Sequence, residues 1–331
     1  MNSDAPSPPV FSQLTPESVI DAIESLGFFS DGRQLALNSY ENRVYQVGIE
    51  DDVPVIAKFY RPQRWENAQI LEEHAFCAEL AEQEVSVVCP LEIHGQTLHV
   101  HEGMRFAVFP RQGGRAPELD NPDQLFSLAQ TIGRMHCVGA SKPFEHRPEL
   151  SIERFGVESA KTLVGGLLPE NLREVYESVA EPLLDRIRMR FDAIDVPLIR
   201  CHGDCHMGNV LWRDDKPHFV DFDDISMAPA IQDLWMLLSG DRHQQTAQLQ
   251  EIVEGYEMFM PFDAAQLTLI EPLRTLRIMH YAAWLARRWD DPAFPMHFPW
   301  FNTDRYWGEH ILELKEQLAL LDEPALVLQP F

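Results

Sequence analysis

The chain has 331 residues, of which 45% are hydrophobic and 24% are charged, and its formal net charge is −25 at pH 7. This length has room for two packed units with a sizeable core. The large negative charge argues against nucleic acid or an anionic membrane as a general partner. It does not exclude ATP, because a metal ion and local cations can offset the field within one cleft.

The N-terminal residues, MNSDAPSPPVFSQ, contain neither a basic region nor a long apolar run, so no signal peptide is predicted. No stretch approaches the roughly 18 consecutive apolar residues that a membrane-spanning helix needs. The odd number of cysteines, five, is typical of reduced thiols in the cytosol. We therefore expect a cytoplasmic protein without a membrane segment, with a disordered Pro/Ser-rich tail over residues 1–10.

Residues 11–110 have the pattern of a strand-rich unit with one inserted helix. An initial helix is expected between Pro16, a residue favoured in the first helical turn, and Gly27, which ends it. Apolar residues at helical spacing predict the inserted helix at 70–81. Strands are expected at 34–37, 43–49, 53–60, 97–101 and 105–109.

Residues 111–331 are predicted to be mostly helical, with a strand–loop–strand segment in the middle. Helices are expected at 122–139, 171–188, 231–238, 247–260, 264–289 and 304–321. A small sheet unit followed by a larger helical unit is an α+β arrangement, because strands do not alternate regularly with helices. The cleft between the two units is the expected ligand site.

The polar loop HGDCHMGN lies between two short apolar strands, and a third strand at 218–220 ends in Asp221. Phosphoryl transfer from a nucleotide–magnesium complex requires a group that accepts the proton of the attacking hydroxyl and hard oxygen ligands for the metal. We predict Asp204 as the proton acceptor, and Asn209 and Asp221 as ligands of Mg²⁺. The alternative is a polar turn rich in capping residues.

A zinc site is a second interpretation of the same loop. Cys201, His202, Cys205 and His206 are ligand types that zinc prefers. Four ligands within six residues cannot easily surround one tetrahedral ion, however, and structural zinc sites usually combine pairs from separate segments. We therefore expect the two cysteines to be buried packing residues.

Two features of the strand-rich unit are candidates for holding phosphates. The turn at 38–42 contains no glycine, but Ser39 offers a hydroxyl and backbone N–H groups; an ordinary hairpin turn is the alternative. Lys58 lies in an apolar strand and is predicted to contact the inner phosphates. Glu73 is its candidate partner on the next helix, with Glu72 nearly as good, and a solvated lysine is the alternative.

Other polar and aromatic residues near the loop receive structural predictions. Asp223 and Asp224 are expected to form a solvated acidic turn, and the alternative is that one of them is a second metal contact. Asp233 is a candidate for anchoring the polar loop by accepting hydrogen bonds from its backbone. The aromatic-rich run at 284–307 is expected to pack in the core.

HGDCHMGNV followed by VDFDD resembles the catalytic and metal-binding motifs of the aminoglycoside phosphotransferase and choline kinase superfamily. Six further segments resemble bacterial stress-response kinases of that superfamily: LNSYENRVYQV, AKFYRP, ILEEHAF, IQDLWMLLSGD, IEPLRTLRIMHY and WLARRWDDPAFP. The resemblance implies a bilobal, protein-kinase-like fold with a small β-rich N-lobe and a larger, mainly helical C-lobe. It also implies an ATP- and Mg²⁺-dependent Ser/Thr protein kinase that autophosphorylates and acts in a stress response.

Carried over position by position, the resemblance makes Ser39 the ATP-contacting serine and Lys58 the phosphate-contacting lysine. It makes Asp204 the proton acceptor, and Asn209 and Asp221 the magnesium ligands. The chain departs from the eukaryotic kinase pattern because it has no glycine-rich loop and carries HGD and DFD in place of HRD and DFG. The expected partners are ATP and a protein with a Ser or Thr acceptor, and we expect a monomer.

Two other functions are compatible with the same residues. A small-molecule phosphotransferase of the aminoglycoside or choline kinase type would differ only in its acceptor pocket, and the acidic composition would suit a cationic acceptor. A nucleotide-binding module without catalysis would bind ATP without turnover. The complete set of Asp204, Asn209 and Asp221 argues against that last function.

Overall fold

The structure is a computed structural model that describes residues 10–328, so nearly all of the predicted disordered tail lies outside the described residues. An antiparallel five-stranded sheet occupies the N-terminal part, in the order β1-β2-β3-β5-β4. Its strands are β1 (Ser30–Leu37), β2 (Arg43–Ile49), β3 (Val55–Phe59), β4 (His99–His101) and β5 (Met104–Pro110).

Helices cover both faces of this sheet. Helix α1 (Pro16–Glu24) begins at the N-cap Thr15 and buries Val19, Ala22 and Ile23 against apolar side chains of β2, β3 and β5. On the other face lies α2 (Asn67–Glu82), whose fully buried Ile70 packs in a small cluster with Ala107 of β5. In the sheet, Lys58 of β3 is paired with a residue of β2 on one side and of β5 on the other.

The rest of the described chain is mainly helical and contains the largest hydrophobic core. A π-helical turn, Glu153–Val157, leads into α4. The helices are α3 (Pro122–Gly139), α4 (Glu158–Val164), α5 (Glu170–Asp192), α6 (Ile231–Leu234), α7 (Arg242–Glu257), α8 (Ile270–Arg287), α9 (Ala293–His297) and α10 (Asp304–Leu320).

Two small antiparallel sheets hold the polar loop. Strand β6 (Ile199–Cys201) pairs with β9 (Ser226–Ala228), and β7 (Val210–Arg213) pairs with β8 (Lys216–Phe219). Phe219 also exchanges backbone hydrogen bonds with Ser86 and Val88, at 3.0 Å each. These bonds fix β8 against the segment that follows α2.

The structure confirms the predicted α+β arrangement of a small sheet lobe and a larger helical lobe. Two predicted helices are shorter than expected. The helix predicted at 231–238 ends at Leu234 and continues as a 3₁₀ turn. In the helix predicted at 264–289, residues 264–269 form a 3₁₀ turn and α8 starts at Ile270. Pro272 accounts for the start of α8 at Ile270, since proline is favoured in the first turn of a helix and costs stability in its interior. None of the helices between residues 10 and 328 combines the length and apolar character needed to cross a bilayer.

Candidate active site

A cleft of about 420 Å³ lies between the sheet lobe and the two small sheets. Five of the six predicted site residues line it: Ser39, Lys58, Glu73, Asn209 and Asp221. The sixth, Asp204, lies next to it, because its backbone oxygen accepts a hydrogen bond from the Asn209 side chain at 2.9 Å. Apolar walls are formed by Leu37, Val44, Ile56, Val88, Phe109, Leu211, Val220 and Phe222.

Lys58 is 6% exposed and reaches three carboxylates, so the alternative of a solvated lysine is wrong. Its Nζ lies 3.0 Å from Asp221, 3.3 Å from Asp223 and 3.6 Å from Glu73. Burial alone would lower the pKa of Lys58, but these carboxylates raise that pKa well above its ordinary value. The cleft therefore holds a permanently charged ammonium group.

The structure distinguishes between the two candidate partners of Lys58. Glu73 is 2% exposed and contacts both Lys58 and Arg147, the latter at 2.8 Å. Glu72 instead accepts hydrogen bonds from the backbone N–H groups of residues 145, 146 and 147, at 2.6, 2.9 and 2.7 Å. Burial raises the pKa of Glu73, and Lys58 and Arg147 oppose that rise.

The expected solvated turn after Asp221 is wrong for Asp223, which is 3% exposed. Asp223 accepts a hydrogen bond from Asn42 Nδ2 at 3.1 Å and forms ion pairs with Lys58 and Arg64. Burial would raise the pKa of Asp223, but Arg64 and Lys58 lower it. The neighbouring Asp224 is about half exposed and pairs with Arg64 at 2.6 Å.

The turn at 38–42 is more than a hairpin turn, because its second half is tied to other elements. Buried Asn42 accepts a hydrogen bond from the backbone N–H of Arg61 at 3.0 Å. Glu41 accepts hydrogen bonds from Trp284 Nε1 at 2.5 Å and Arg288 Nη2 at 2.9 Å. Ser39 is therefore held at the edge of the cleft by contacts that span both lobes.

Asp221 has an unusual backbone conformation, with φ 58° and ψ 65°. A non-glycine residue in this left-handed region typically costs about 1–3 kcal/mol, and such residues concentrate at functional sites. The side chain of Asp221 is 52% exposed at the cleft and contacts Lys58. The strain thus accompanies a carboxylate that remains accessible to a ligand.

Asn209 is held by hydrogen bonds on three of its polar groups. Its side-chain nitrogen donates to the Asp204 backbone oxygen, its backbone N–H donates to His206 at 2.9 Å, and its carbonyl accepts from Val220 at 3.0 Å. Its amide oxygen has no donor among residues 10–328. Asn209 and Asp221 therefore offer hard oxygen atoms to the same cleft.

Asp204 is positioned by an ion pair that the sequence does not reveal. Its carboxylate contacts the guanidinium of Arg277 from α8, and His206 Nε2 lies 3.4 Å from its Oδ2. Burial would raise the pKa of Asp204, but the hydrogen bond of His206 and the charge of Arg277 lower it below the ordinary value. These contacts therefore favour the ionised form of Asp204.

Asp233 anchors the polar loop, as predicted. It is completely buried and accepts hydrogen bonds from the backbone N–H groups of His202 at 2.7 Å and Gly203 at 2.9 Å. His136 Nε2 contacts the same carboxylate at 3.0 Å. Gly203 has φ 84°, and a Cβ there would lie 2.1 Å from the backbone oxygen of Asp224, so only glycine fits.

The zinc interpretation finds no support in the geometry. Cys201 and Cys205 are fully buried in the main core, as expected for packing residues. Within residues 10–328, the one group of side chains close enough to share a metal is His136, Cys201 and Asp233, whose ligand atoms lie within 4.8 Å of one another. Of the four candidate zinc ligands in the polar loop, this group contains Cys201 alone.

Comparisons with known proteins identify the family of the chain. The sequence model described as the phosphotransferase enzyme family matches residues 33–270. The chain belongs to this family. It is 45% identical to stress response kinase A of Escherichia coli (strain K12), over 97% of each chain. It is 44% identical to a serine/threonine protein kinase, RdoA, of Salmonella typhimurium (strain LT2), again over 97% of each.

Solved structures show the same fold at low sequence identity. An amicoumacin kinase in complex with AMP-PNP and Ca²⁺ has a TM-score of 0.74 at 18% identity, covering 91% of this chain and 92% of that one. A microcompartment-associated aminopropanol kinase has a TM-score of 0.70 at 16% identity, covering 92% and 96%. The chain therefore has the predicted kinase-like bilobal fold, and its curated relatives are kinases.

Proposed function

We propose that the chain transfers the γ-phosphoryl group of ATP to a Ser or Thr hydroxyl of a protein. The observation that carries this proposal is the convergence of Lys58, Asn209 and Asp221 on one cleft, with ionised Asp204 beside them. The protein acceptor is supported by the 44% identity to a relative named as a serine/threonine protein kinase. We place the lobe boundary after Pro110, which separates an N-lobe at 11–110 from a C-lobe at 111–331.

ATP is proposed to lie along the apolar walls of the cleft. The adenine would lie against the segment 109–112, of which Phe109, Pro110 and Gln112 line the cleft. Lys58 and the backbone and hydroxyl of Ser39 would hold the phosphates. The nucleotide analogue in the structurally similar amicoumacin kinase supports a nucleotide site in this fold.

The residues present fit a magnesium ion. The amide oxygen of Asn209 lacks a donor within the described chain, and the Asp221 carboxylate is half exposed, so both oxygens are available to a hard cation. When bound with the nucleotide, Mg²⁺ neutralises the charge that develops on the phosphates. The Ca²⁺ in the amicoumacin kinase complex supports a divalent cation in this fold.

Asp204 orients the acceptor hydroxyl and accepts its proton in this proposal. Its low pKa keeps it ionised at neutral pH, and Arg277 and His206 hold its carboxylate in place. The attacking oxygen forms a bond to the γ-phosphorus as the bond to the β–γ bridging oxygen breaks, and ADP leaves. The proposal further includes autophosphorylation, action as a monomer in the cytoplasm, and a role in a stress response.

A comparison of acceptors tests the substrate class. The purified chain is supplied with γ-labelled ATP and Mg²⁺, with either a Ser/Thr-containing protein mixture or a panel of aminoglycosides and choline. We expect label on protein and none on the small molecules. Transfer to a small molecule without label on any protein would overturn the protein kinase assignment.

A further inference from the structure

One face of α8 connects the proton acceptor with the turn at 38–42. Arg277, near the middle of this helix, contacts the Asp204 carboxylate. Arg288, which directly follows α8, donates to Glu41 at 2.9 Å. With a rise of about 1.5 Å per residue, the eleven positions between the two arginines span about 16 Å. This face therefore borders the site over a length that could hold several residues of an acceptor.

Further arginines and one neutral histidine gather on and beside this face. Arg277, His280 and Arg287 are separated by three and seven positions, which places them on one side of the helix. Arg154 approaches from the π-helical turn, where the ring of Phe155 lies 4.3 Å from the ring of His280. We call Arg154, Arg277, His280 and Arg287 the arginine patch.

Two members of the arginine patch have no carboxylate within ion-pair distance in residues 10–328. The guanidinium groups of Arg154 and Arg287 form no ion pair or hydrogen bond within residues 10–328, although Arg154 lies 5.5 Å from the centre of the Phe155 ring. This is unusual in a chain with 52 acidic residues and 27 lysines and arginines. His280 Nδ1 is buried and also has no hydrogen-bond partner in this part of the chain.

Three carboxylates act on the charges of Arg154 and Arg287: Glu158 on both, Asp224 on Arg154 and Glu41 on Arg287. Glu158 forms no ion pair with either arginine within residues 10–328, and the other two carboxylates are engaged elsewhere. Asp224 pairs with Arg64 and Glu41 pairs with Arg288, at 2.6 and 2.9 Å. Burial, together with the charges of four arginines at positions 287, 154, 64 and 277, lowers the pKa of His280 to about 3. The local field around His280 is therefore positive, in contrast to the charge of the whole chain.

We propose that the arginine patch binds anionic groups of the acceptor, so that the substrate is an acidic protein segment whose Ser or Thr lies at Asp204. This inference rests on the proposed kinase function and names its substrate class. Guanidinium groups bind carboxylates and phosphoryl groups through paired N–H donors, and these two anions share the chemistry of the site. Arg277 joins the patch to the proton acceptor.

The dimensions of the patch limit where the anionic groups occur. Ten positions separate Arg277 from Arg287, which corresponds to about 15 Å along the helix. An extended peptide advances about 3.3 Å per residue, so this distance equals four to five peptide residues. Acidic residues within about five positions of the phosphorylated Ser or Thr are therefore recognised, and more distant ones are not.

Steady-state transfer to matched peptides tests the inference. Four peptides share one serine acceptor, and the positions within five residues of it carry Gln, Glu, phosphoserine or Lys. We expect kcat/KM at least tenfold higher with Glu or phosphoserine than with Gln, and lowest with Lys. The ratio between the Glu and phosphoserine peptides shows whether carboxylate or phosphoryl groups are preferred.

The double variant Arg154→Gln/Arg287→Gln should lose most of this preference through KM for the peptide, with KM for ATP unchanged. Arg188→Gln, at an exposed arginine of α5, is the matched control and should retain the preference. Equal use of all four peptides, preference for Lys, or an unchanged preference in the double variant would overturn the inference while leaving the kinase function intact. Absence of transfer to any peptide by the unmodified chain would overturn both.

Discussion

Replacing Asp233 with asparagine tests whether this buried carboxylate holds the polar loop. The carboxylate accepts three hydrogen bonds, from the backbone of His202 and Gly203 and from the His136 ring, at 2.7, 2.9 and 3.0 Å. Its Oδ2 accepts the hydrogen bonds from His202 and His136, and its Oδ1 accepts the one from Gly203. An asparagine retains one acceptor oxygen, so its amide nitrogen must face at least one N–H group.

The expected loss of stability follows from the hydrogen bonds that Asp233→Asn weakens or leaves without an acceptor. A hydrogen bond to a charged group contributes about 1.5–3 kcal/mol, and a buried donor without a partner costs about 1–3 kcal/mol. We therefore expect Asp233→Asn to lower the free energy of unfolding by about 3–5 kcal/mol. Because the anchored loop carries Asp204, kcat should also fall at temperatures where the variant is fully folded.

Urea unfolding followed by circular dichroism measures this change. Asp241→Asn is the matched control, because Asp241 is an exposed N-cap that accepts one hydrogen bond from Gln244 N–H at 2.9 Å. Asparagine caps helices as well as aspartate does, so the control should change stability by less than about 0.5 kcal/mol. A free energy of unfolding for Asp233→Asn within about 1 kcal/mol of the unmodified chain would refute the anchoring role.

Four further variants probe the site and the core. Glu73→Gln should raise KM for ATP because Lys58 loses one of its carboxylates. Glu72→Gln should leave KM for ATP unchanged and lower the free energy of unfolding by about 1–3 kcal/mol. Identical kinetic effects of the two variants would contradict the pairing of Lys58 with Glu73. Arg277→Gln removes a charge that lowers the pKa of Asp204. The acidic limb of the pH profile of kcat/KM should therefore move to higher pH. An acidic limb at the same pH would contradict the effect of Arg277 on Asp204. Burial lowers the pKa of His310 from 6.5 to about 4, so the unfolded chain takes up a proton first as the pH falls. Between pH 7 and pH 5 the free energy of unfolding of the unmodified chain should fall by about 2 kcal/mol more than that of His310→Gln. An equal decrease of the urea midpoint in both chains would contradict this prediction.

The site residues that the sequence predicts are those that can be recognised from nearby residues in the chain. Asp204, Asn209 and Asp221 lie within one strand–loop–strand segment, so their spacing alone places them at neighbouring strand ends. Lys58 is identified by a similar local signal, a single charge within an apolar strand. In each case the prediction rests on residues nearby in the chain, and the structure places the side chain in or beside the cleft.

The contacts that tune these groups come from distant elements and have no local signal. Arg277, Arg64 and Arg147 reach the site through the packing of α8 and of loops on both lobes, and helical periodicity does not show which charged residue will face a cleft. The choice between Glu72 and Glu73 depends on helix rotation, since adjacent helical residues point about 100° apart. The turn residue Asp223 is buried because Arg64, Lys58 and Asn42 converge on it.

A kinetic comparison of Asp204→Asn with the unmodified chain tests whether Asp204 accepts the proton of the attacking hydroxyl. Transfer of γ-label from ATP to a Ser/Thr peptide is measured beside ATP affinity, with Asp214→Asn as a control in the exposed turn between β7 and β8. A positioned general base contributes about 10²–10⁴ in rate. We predict that Asp204→Asn lowers kcat at least about 100-fold with ATP affinity retained. A kcat within about threefold of the unmodified chain would contradict the account.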